Sequence, residues 1–258
     1  MPRSVSFVAH HDTARSGVSG TAVTVCALRA EESAKPERRR LVFDPLASVL
    51  CGGCGPDAEW IESTGRSREF WIDFMAVRTR WIDDAMALAP PKQLVILGAG
   101  LDCRAYRLEA LRGVPVFEVD FGEVLEAKQL SHVPANLGVD DLQQALLAAG
   151  FHTGQPSVWL LEGLTGYLTE PELAALLESV AAASVEGSTI IATFVGAEMR
   201  ATSMHRFSVA DESQVAAVLG AAGWAAAEVQ RLGAVSRGYG RDSVPPEVGY
   251  FLASAARE

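Results

Sequence analysis

Two glycines enclose one alanine at Gly98-Ala99-Gly100, directly after a short apolar run. Glycine lets a backbone turn tightly and approach a ligand closely, and a helix that begins after such a turn offers free N–H groups to a polar ligand. Asp120 follows about twenty residues later, at the end of a second apolar run, where a carboxylate can accept hydrogen bonds from both hydroxyls of an adenosine ribose. The spacing predicts a site for a cofactor that contains adenosine.

A carboxylate beside the glycine turn, Asp102, bears on which cofactor this is. It would repel the pyrophosphate of a nicotinamide dinucleotide, whereas it suits a ligand that carries an ammonium group and a sulfonium. Cys103 stands where dinucleotide-binding proteins have a third small residue, and cysteine is small enough to be tolerated there. An NAD(P)-dependent oxidoreductase therefore stays open as an alternative to an enzyme that uses S-adenosylmethionine.

Two further charged residues fall at positions that should be buried. Arg78 lies within the apolar arc of a helical wheel, and an arginine that faces a core needs an anion. That anion is either one of the chain's own carboxylates or the carboxylate of a ligand. Glu162 ends a buried strand, at the edge where open α/β sheets bind ligands, so its carboxylate is expected near the amino group or sulfonium of the cofactor. The apolar arc consists of Phe70, Trp71, Phe74, Val77, Trp81 and Ile82.

Strands and helices alternate from Lys92 to the end of the chain. Continuous short apolar runs are typical of parallel strands that are buried on both faces. Thr169-Glu170-Pro171-Glu172 has the residue types of a helix start, and the helix is expected to run to Gly187. Strands are expected at residues 94–97, 114–119, 158–161, 188–195, 226–232 and 248–253.

The first 90 or so residues are predicted to be helical, with no obvious strand. A polar break is expected from Glu31 to Arg40, followed by a long helix from about Arg68 to Leu88. We therefore expect one compact α/β unit with helices on both faces of the sheet. Residues 1–90 would form an N-terminal helical extension, or lid, that contributes to the cofactor and substrate site, and residues 91–258 a Rossmann-like core.

Composition excludes several classes of protein. The 258 residues are 49% hydrophobic, enough for a sizeable core. A net charge of −10 argues against a nucleic-acid partner, because such binding needs many Lys and Arg side chains. There is no apolar stretch of about 18 residues and no signal-peptide pattern, so no membrane partner and a cytoplasmic location are expected.

The four cysteines are scattered, so reduced thiols are expected. Cys51-Gly52-Gly53-Cys54 has the CxxC spacing of metal and redox sites, but no second pair completes a tetrahedral site. We interpret this segment as a glycine-rich turn after a short helix opened by Asp44-Pro45, and we expect no metal.

An ordered set of motifs resembles the leucine carboxyl methyltransferase family, particularly its bacterial branch of S-adenosylmethionine-dependent O-methyltransferases. An ordered set is more specific than any one motif. The motifs are Ser19-Gly20-Thr21-Ala22, Arg29-Ala30-Glu31, Asp44-Pro45-Leu46-Ala47, Arg78-Thr79-Arg80 with Ile82-Asp83, Leu97-Gly98-Ala99-Gly100-Leu101-Asp102-Cys103-Arg104-Ala105-Tyr106-Arg107-Leu108, Phe117-Glu118-Val119-Asp120, Leu161-Glu162-Gly163-Leu164, Tyr167-Leu168 and Tyr239-Gly240-Arg241.

The resemblance implies a class I methyltransferase fold with S-adenosylmethionine as methyl donor and S-adenosylhomocysteine as product. It implies that Arg78 holds the cofactor carboxylate, that Gly98 and Gly100 form the turn beneath the methionine portion, and that Asp120 binds the ribose. The family's adenine-binding Asp-Leu pair corresponds to Asn136-Leu137. Asn136 departs from the family, although its amide oxygen can still accept a hydrogen bond from the adenine amine.

The resemblance also places Tyr167 on the acceptor side of the site. A carboxylate acceptor would be ionised and need no base, whereas a hydroxyl would need one. For a base, Tyr167, Glu162 and His205 are candidates, and histidine has the most suitable ordinary pKa; His205 is otherwise expected at the surface. The short segment 196–209 predicts an open acceptor pocket, and the short segment 128–133 a rudimentary third strand.

The partners are less well defined by the sequence. We expect a small-molecule acceptor, more than a protein terminus, and a monomer or a homodimer. A catalytically silent protein that binds the cofactor and acts through a partner is the remaining alternative, and the presence of Tyr167 and Glu162 argues against it.

Overall fold

The computed structural model describes residues 4–6, 15–120, 132–134, 142–199 and 205–258. Within these ranges, eight strands form one sheet. The strands are β1 (Ser4–Ser6), β2 (Leu94–Leu97), β3 (Val116–Asp120), β4 (His132–Pro134), β5 (Val158–Leu161), β6 (Thr189–Val195), β7 (Ala225–Arg231) and β8 (Tyr250–Ala256). The helices are α1 (Arg15–Ala34), α2 (Ala47–Leu50), α3 (Ala58–Ser63), α4 (Arg68–Leu88), α5 (Arg104–Arg107), α6 (Leu142–Ala148), α7 (Glu170–Ala182), α8 (Glu212–Ala221) and α9 (Leu232–Ser236).

The strand order is β4-β1-β3-β2-β5-β6-β8-β7. Strand β8 is antiparallel to both of its neighbours, and the other pairings are parallel. Because β2, β3, β5 and β6 are parallel, their carboxyl ends lie at one edge of the sheet. That edge is where open α/β sheets bind ligands.

The prediction that the first 90 residues contain no strand is wrong. Strand β1 pairs with β3 through Val5 and Val119, and with β4 through Val5 and Val133. It has only three residues, too few for an alternating or continuous apolar pattern, and its extended form depends on neighbours far along the chain. Strand β4 is also three residues long, as short as expected for a rudimentary third strand.

Helices cover both faces of the sheet, as predicted. In β2, the side chains of Val95 and Leu97 enter one apolar cluster, together with residues of α6, α7 and α8. Leu94 and Ile96 enter a second cluster on the other face, formed largely by α4. This alternation is the normal result of a strand's two-residue period, and it explains why β2 is apolar throughout.

Helix α4 has the predicted bounds, and α7 begins where it was predicted. The Thr169 hydroxyl accepts a hydrogen bond from Glu172 N, and the Glu172 carboxylate accepts one from Thr169 N, which is the expected capping box. Helix α7 ends at Ala182, however, and not at Gly187. Helix α1 extends into the expected polar break and ends at Ala34. The side chain of Glu32 is buried there and pairs with Arg241, far along the chain.

The Cys51–Cys54 segment is a turn, as interpreted from the sequence. Gly52 and Gly53 have φ angles of +65° and +70°, which glycine adopts without strain. Asp44 accepts hydrogen bonds from the amides that begin α2. The four cysteines are free, and the part of the chain that the structure describes contains no group of three residues suited to a metal ion. Among these residues, no helix combines the length and hydropathy needed to cross a membrane.

Candidate cofactor-binding site

The glycine turn directly follows β2 at the carboxyl edge of the sheet. Gly98 and Gly100 have φ angles of +66° and +48°, in the region that disfavours residues with a Cβ. A Cβ on Gly98 would lie 3.2 Å from Leu164 Cδ1. The turn is held to the neighbouring strand, because Gly98 N and Ala99 N donate to Val119 O at 2.8 and 3.1 Å. Glycine is therefore required here by backbone conformation and by close packing.

Asp120, the last residue of β3, lies beside this turn. Its Oδ2 accepts a hydrogen bond from Gly100 N, and the residue is buried. Helix α1 covers the turn from the other side, since a Cβ on Gly100 would lie 3.7 Å from Ala22 Cβ. The predicted pairing of glycine turn and acidic residue is thus present in three dimensions, next to the N-terminal helical segment.

Arg78 faces the interior, as the helical wheel predicted, and is buried. Its Nε donates to Glu162 Oε1 at 2.7 Å, and its Nη1 donates to Tyr250 OH at 3.3 Å. Tyr250 OH in turn donates to Thr193 Oγ1 at 2.8 Å. Arg78 thus has one of the chain's own carboxylates, Glu162, as a partner.

Arg104, the first residue of α5, is a buried cation that sequence reasoning passed over. Its Nε donates to Asp83 Oδ1 at 2.8 Å, and its Nη1 donates to both Asp102 Oδ2 and Glu162 Oε2. Asp102 also accepts a hydrogen bond from Arg104 N at 2.6 Å. Asp102, expected beside a ligand's ammonium group, is therefore paired with its neighbour Arg104.

The charged side chains form one buried cluster around Glu162. Asp83 pairs with Arg104 and also, through two hydrogen bonds of 2.7 and 2.9 Å, with Arg107. Burial alone would raise the pKa of the Glu162 carboxyl, but the positive charges of Arg104 and Arg78 outweigh burial and hold that pKa well below its usual range. Glu162 is thus an ionised carboxylate with one guanidinium on each oxygen.

Tyr167 and His205 lie together. Their ring centroids are 5.3 Å apart with an interplanar angle of 65°, an edge-to-face contact. His205 is half-buried, and its ring packs against Tyr167. Burial raises the pKa of the Tyr167 phenol, and the hydrogen bond with Thr21 only partly opposes this. Tyr167 is therefore protonated at neutral pH and can donate a hydrogen bond.

Some predicted residues cannot be placed. Asn136 and Leu137, matched to the adenine-binding pair, lie outside the described residues, and so do 200–204 of the acceptor segment. The adenine contact and the open acceptor pocket stay predictions. Conversely, Tyr250 carried no signal in the sequence, whereas Arg104 stood within a quoted motif beside Asp102 and could have been flagged by that adjacency.

Apart from β1, which is inserted between β4 and β3, the strand order is that of a Rossmann-like class I methyltransferase sheet, with one antiparallel strand between β6 and β7. A crystal structure of a DUF574 family protein from Streptomyces avermitilis superimposes with a TM-score of 0.59 at 11% identity, covering 93% of this chain and 100% of that one. A "putative methyltransferase" from Thermobifida fusca superimposes with a TM-score of 0.57 at 15% identity, covering 92% and 94%. These likenesses show the fold.

Sequence comparison shows the family. The family model for leucine carboxyl methyltransferase matches residues 22–181. A "Putative S-adenosyl-L-methionine-dependent methyltransferase" of Mycobacterium avium is 35% identical over 227 residues, covering 78% of this chain and 72% of that protein. A protein of the same name in Mycolicibacterium gilvum is 38% identical over 224 residues, covering 73% and 72%. The chain belongs to the leucine carboxyl methyltransferase family and to the class of S-adenosylmethionine-dependent methyltransferases, which confirms the predicted resemblance and cofactor.

Proposed function

We propose that the protein transfers a methyl group from S-adenosylmethionine to an oxygen atom, carboxylate or hydroxyl, of a small-molecule acceptor. One observation carries the proposal: the glycine turn and Asp120 lie at the same sheet edge as the buried Arg78–Glu162 pair and Tyr167. The glycine turn and Asp120 suit an adenosine, and the Arg78–Glu162 pair suits the two charges of an amino acid. Tyr167 is assigned to the acceptor side.

The residues present fit the cofactor. Its methionine portion carries one carboxylate and one ammonium group, and Arg78 and Glu162 offer a cation and an anion 2.7 Å apart. The absence of side chains at Gly98 and Gly100 allows a ligand to approach the backbone, and the Asp120 carboxylate can accept from ribose hydroxyls. When bound, S-adenosylmethionine supplies a methyl group that is already activated by its sulfonium.

The protein itself contributes mainly by position. Holding the acceptor oxygen close to and in line with the methyl group can lower the barrier by several kcal/mol, at the upper end about 7–11 kcal/mol. Tyr167, being protonated, can donate a hydrogen bond that orients the acceptor oxygen. Helix α1 contributes Ala22 at the glycine turn and Thr21 at Tyr167, so it covers both halves of the site, which favours a small acceptor.

The acceptor decides whether a base is needed. A carboxylate is ionised at neutral pH and can attack directly. A hydroxyl has to lose its proton, and His205, in contact with Tyr167, is the side chain best suited to accept it.

The first experiment is calorimetry with S-adenosylhomocysteine, for which we expect one site per chain; absence of measurable binding would contradict the proposal. The second incubates the enzyme and a methyl-labelled cofactor with a panel of carboxylic acids, phenols, alcohols, amines and thiols. Labelled methyl esters are lost on alkaline treatment whereas ethers survive, so one assay separates the two products. Transfer of label only to amines, thiols or carbon would exclude an oxygen acceptor. Label in the full-length enzyme or another protein, with none in the panel, would exclude a small-molecule acceptor.

A further inference from the structure

Arg104 contacts three carboxylates that come from three different parts of the fold. Asp83 belongs to α4, Asp102 to the segment that follows the glycine turn, and Glu162 to the end of β5. The Arg104 side chain is 3% exposed, and its Nη2 is buried without a hydrogen-bond partner among the described atoms. This is more contact than packing α5 against the sheet requires.

We propose that Arg104 is a positioning residue for the cofactor: it keeps Glu162 charged and in place when Arg78 turns to the ligand's carboxylate. The proposal rests on the function proposed above and deepens it, because it assigns a task to a residue that neither the sequence motifs nor the family resemblance singled out.

Each oxygen of the Glu162 carboxylate contacts a different arginine. Oε1 accepts from Arg78 and Oε2 accepts from Arg104. If Arg78 were the only cation, its transfer to a ligand would leave Glu162 buried and uncompensated, which costs several kcal/mol. The carboxyl would instead take up a proton and lose its attraction for the ligand's ammonium group. A second cation that stays at Glu162 when the ligand binds keeps the carboxyl ionised, so that it still attracts the ligand's ammonium group.

Arg104 is anchored more firmly beside Glu162 than Arg78 is. Asp83 and Asp102 each hold it by an ion pair, and the second oxygen of Asp102 accepts from the Arg104 amide. Arg78, in contrast, has a neutral partner, Tyr250, besides Glu162. Arg104 can thus stay in contact with Glu162 while Arg78, which has fewer charged partners, binds the carboxylate of a ligand.

The charged groups around Glu162 define how the proposal can be tested by pH. They are Arg104 on α5, Arg78 on α4 and Arg29 on α1, and Tyr250 on β8 reaches Arg78. With Arg104 neutralised, only Arg78 remains in direct contact, so the pKa of Glu162 rises. Protonation of Glu162 then competes with binding of the ligand's ammonium group, and affinity falls as the pH falls.

The experiment measures two ligands by calorimetry between about pH 7 and about pH 5, a range in which the charges of an amino acid do not change. S-Adenosylhomocysteine carries the amino acid end, and 5′-methylthioadenosine lacks it. The variant is Arg104→Gln. The matched control is Arg107→Gln, which also removes a buried arginine of this cluster, one that contacts Asp83 but not Glu162.

For the wild type and Arg107→Gln, we expect the S-adenosylhomocysteine Kd to change by less than about twofold over this range, since Glu162 stays ionised. For Arg104→Gln, we expect it to increase by about tenfold or more as the pH falls, while the 5′-methylthioadenosine Kd stays constant. Arg104→Lys, which keeps the charge, should restore a pH-independent Kd.

Equal losses for both ligands without a pH dependence would overturn the proposal, because Arg104 would then only be structural. If Arg104→Gln does not fold, Arg104→Met, which also removes the charge, decides the question: a selective, pH-dependent loss for S-adenosylhomocysteine supports the proposal, and an unchanged or equal response contradicts it. A wild type that binds neither ligand would instead contradict the proposed function.

Discussion

Replacement of Arg78 by alanine tests the centre of the site. The substitution removes the hydrogen bond to Glu162 at 2.7 Å and the one to Tyr250 at 3.3 Å. Breaking a buried ion pair by removing one partner costs about 3–5 kcal/mol when the other partner is left alone. Glu162 keeps Arg104, so we expect a smaller loss of about 2–3 kcal/mol in the free energy of unfolding.

The effect on cofactor binding follows from the second role of Arg78. A hydrogen bond to a charged group is worth about 1.5–3 kcal/mol, and each 1.4 kcal/mol is about a factor of ten in affinity. We therefore expect the Arg78→Ala variant to bind S-adenosylhomocysteine about 10- to 150-fold more weakly than the wild type.

Thermal unfolding and calorimetry measure the two effects separately. Arg80→Ala is the matched control, because Arg80 lies on the same helix with a side chain that is 45% exposed and, among the described residues, forms an ion pair only with Asp84 four residues on. Such exposed pairs are worth about 0.5 kcal/mol or less. A Kd for Arg78→Ala within about twofold of the wild-type value would refute the reasoning, since Arg78 would then be only a structural partner of Glu162.

Three further substitutions separate local strain, ribose binding and helix capping. Gly98→Ala should cost about 1–2 kcal/mol in stability through its positive φ and also weaken S-adenosylhomocysteine binding. In the control, Gly52→Ala, φ is similar but the added Cβ would have no atom within 4 Å, so only stability should be lost; equal binding by both variants would contradict a close ligand approach at Gly98. Asp120→Ala should weaken adenosine binding by about tenfold or more yet leave adenine binding unchanged in calorimetry, whereas a parallel loss for adenine would argue against a ribose contact. Thr169→Ala should lower the melting temperature by about 2–4 °C with unchanged cofactor affinity; no shift would mean that the capping box adds nothing to stability.

Local signals predicted the elements that position the glycine turn. Strand β2 was predicted at its observed bounds because both of its faces are buried and its residues are apolar throughout. The capping box was readable because its interactions span only three residues. Arg78 could be predicted to face inward because its helix carries a long apolar arc.

Long-range contacts explain what the sequence left undetermined. An arginine in the first turn of a short helix, such as Arg104, is ordinarily solvated, and its burial results from partners 21 and 58 residues away. The same reasoning applies to β1, whose three residues are extended only through pairing with distant strands. Asp102 and Glu162 were expected near the positive groups of a ligand, and both also contact Arg104 of the chain itself.

Strand β8 runs against its neighbours, so its first residue, Tyr250, lies at the sheet edge that holds the glycine turn. A site that includes Thr21 and Ala22 therefore also depends on Tyr250, a residue far along the chain. During synthesis, the nascent protein can form its early helices but cannot yet offer Arg78 its tyrosine partner. Fragments that stop before residue 250 should therefore capture the cofactor poorly, because Arg78 lacks the hydroxyl of Tyr250.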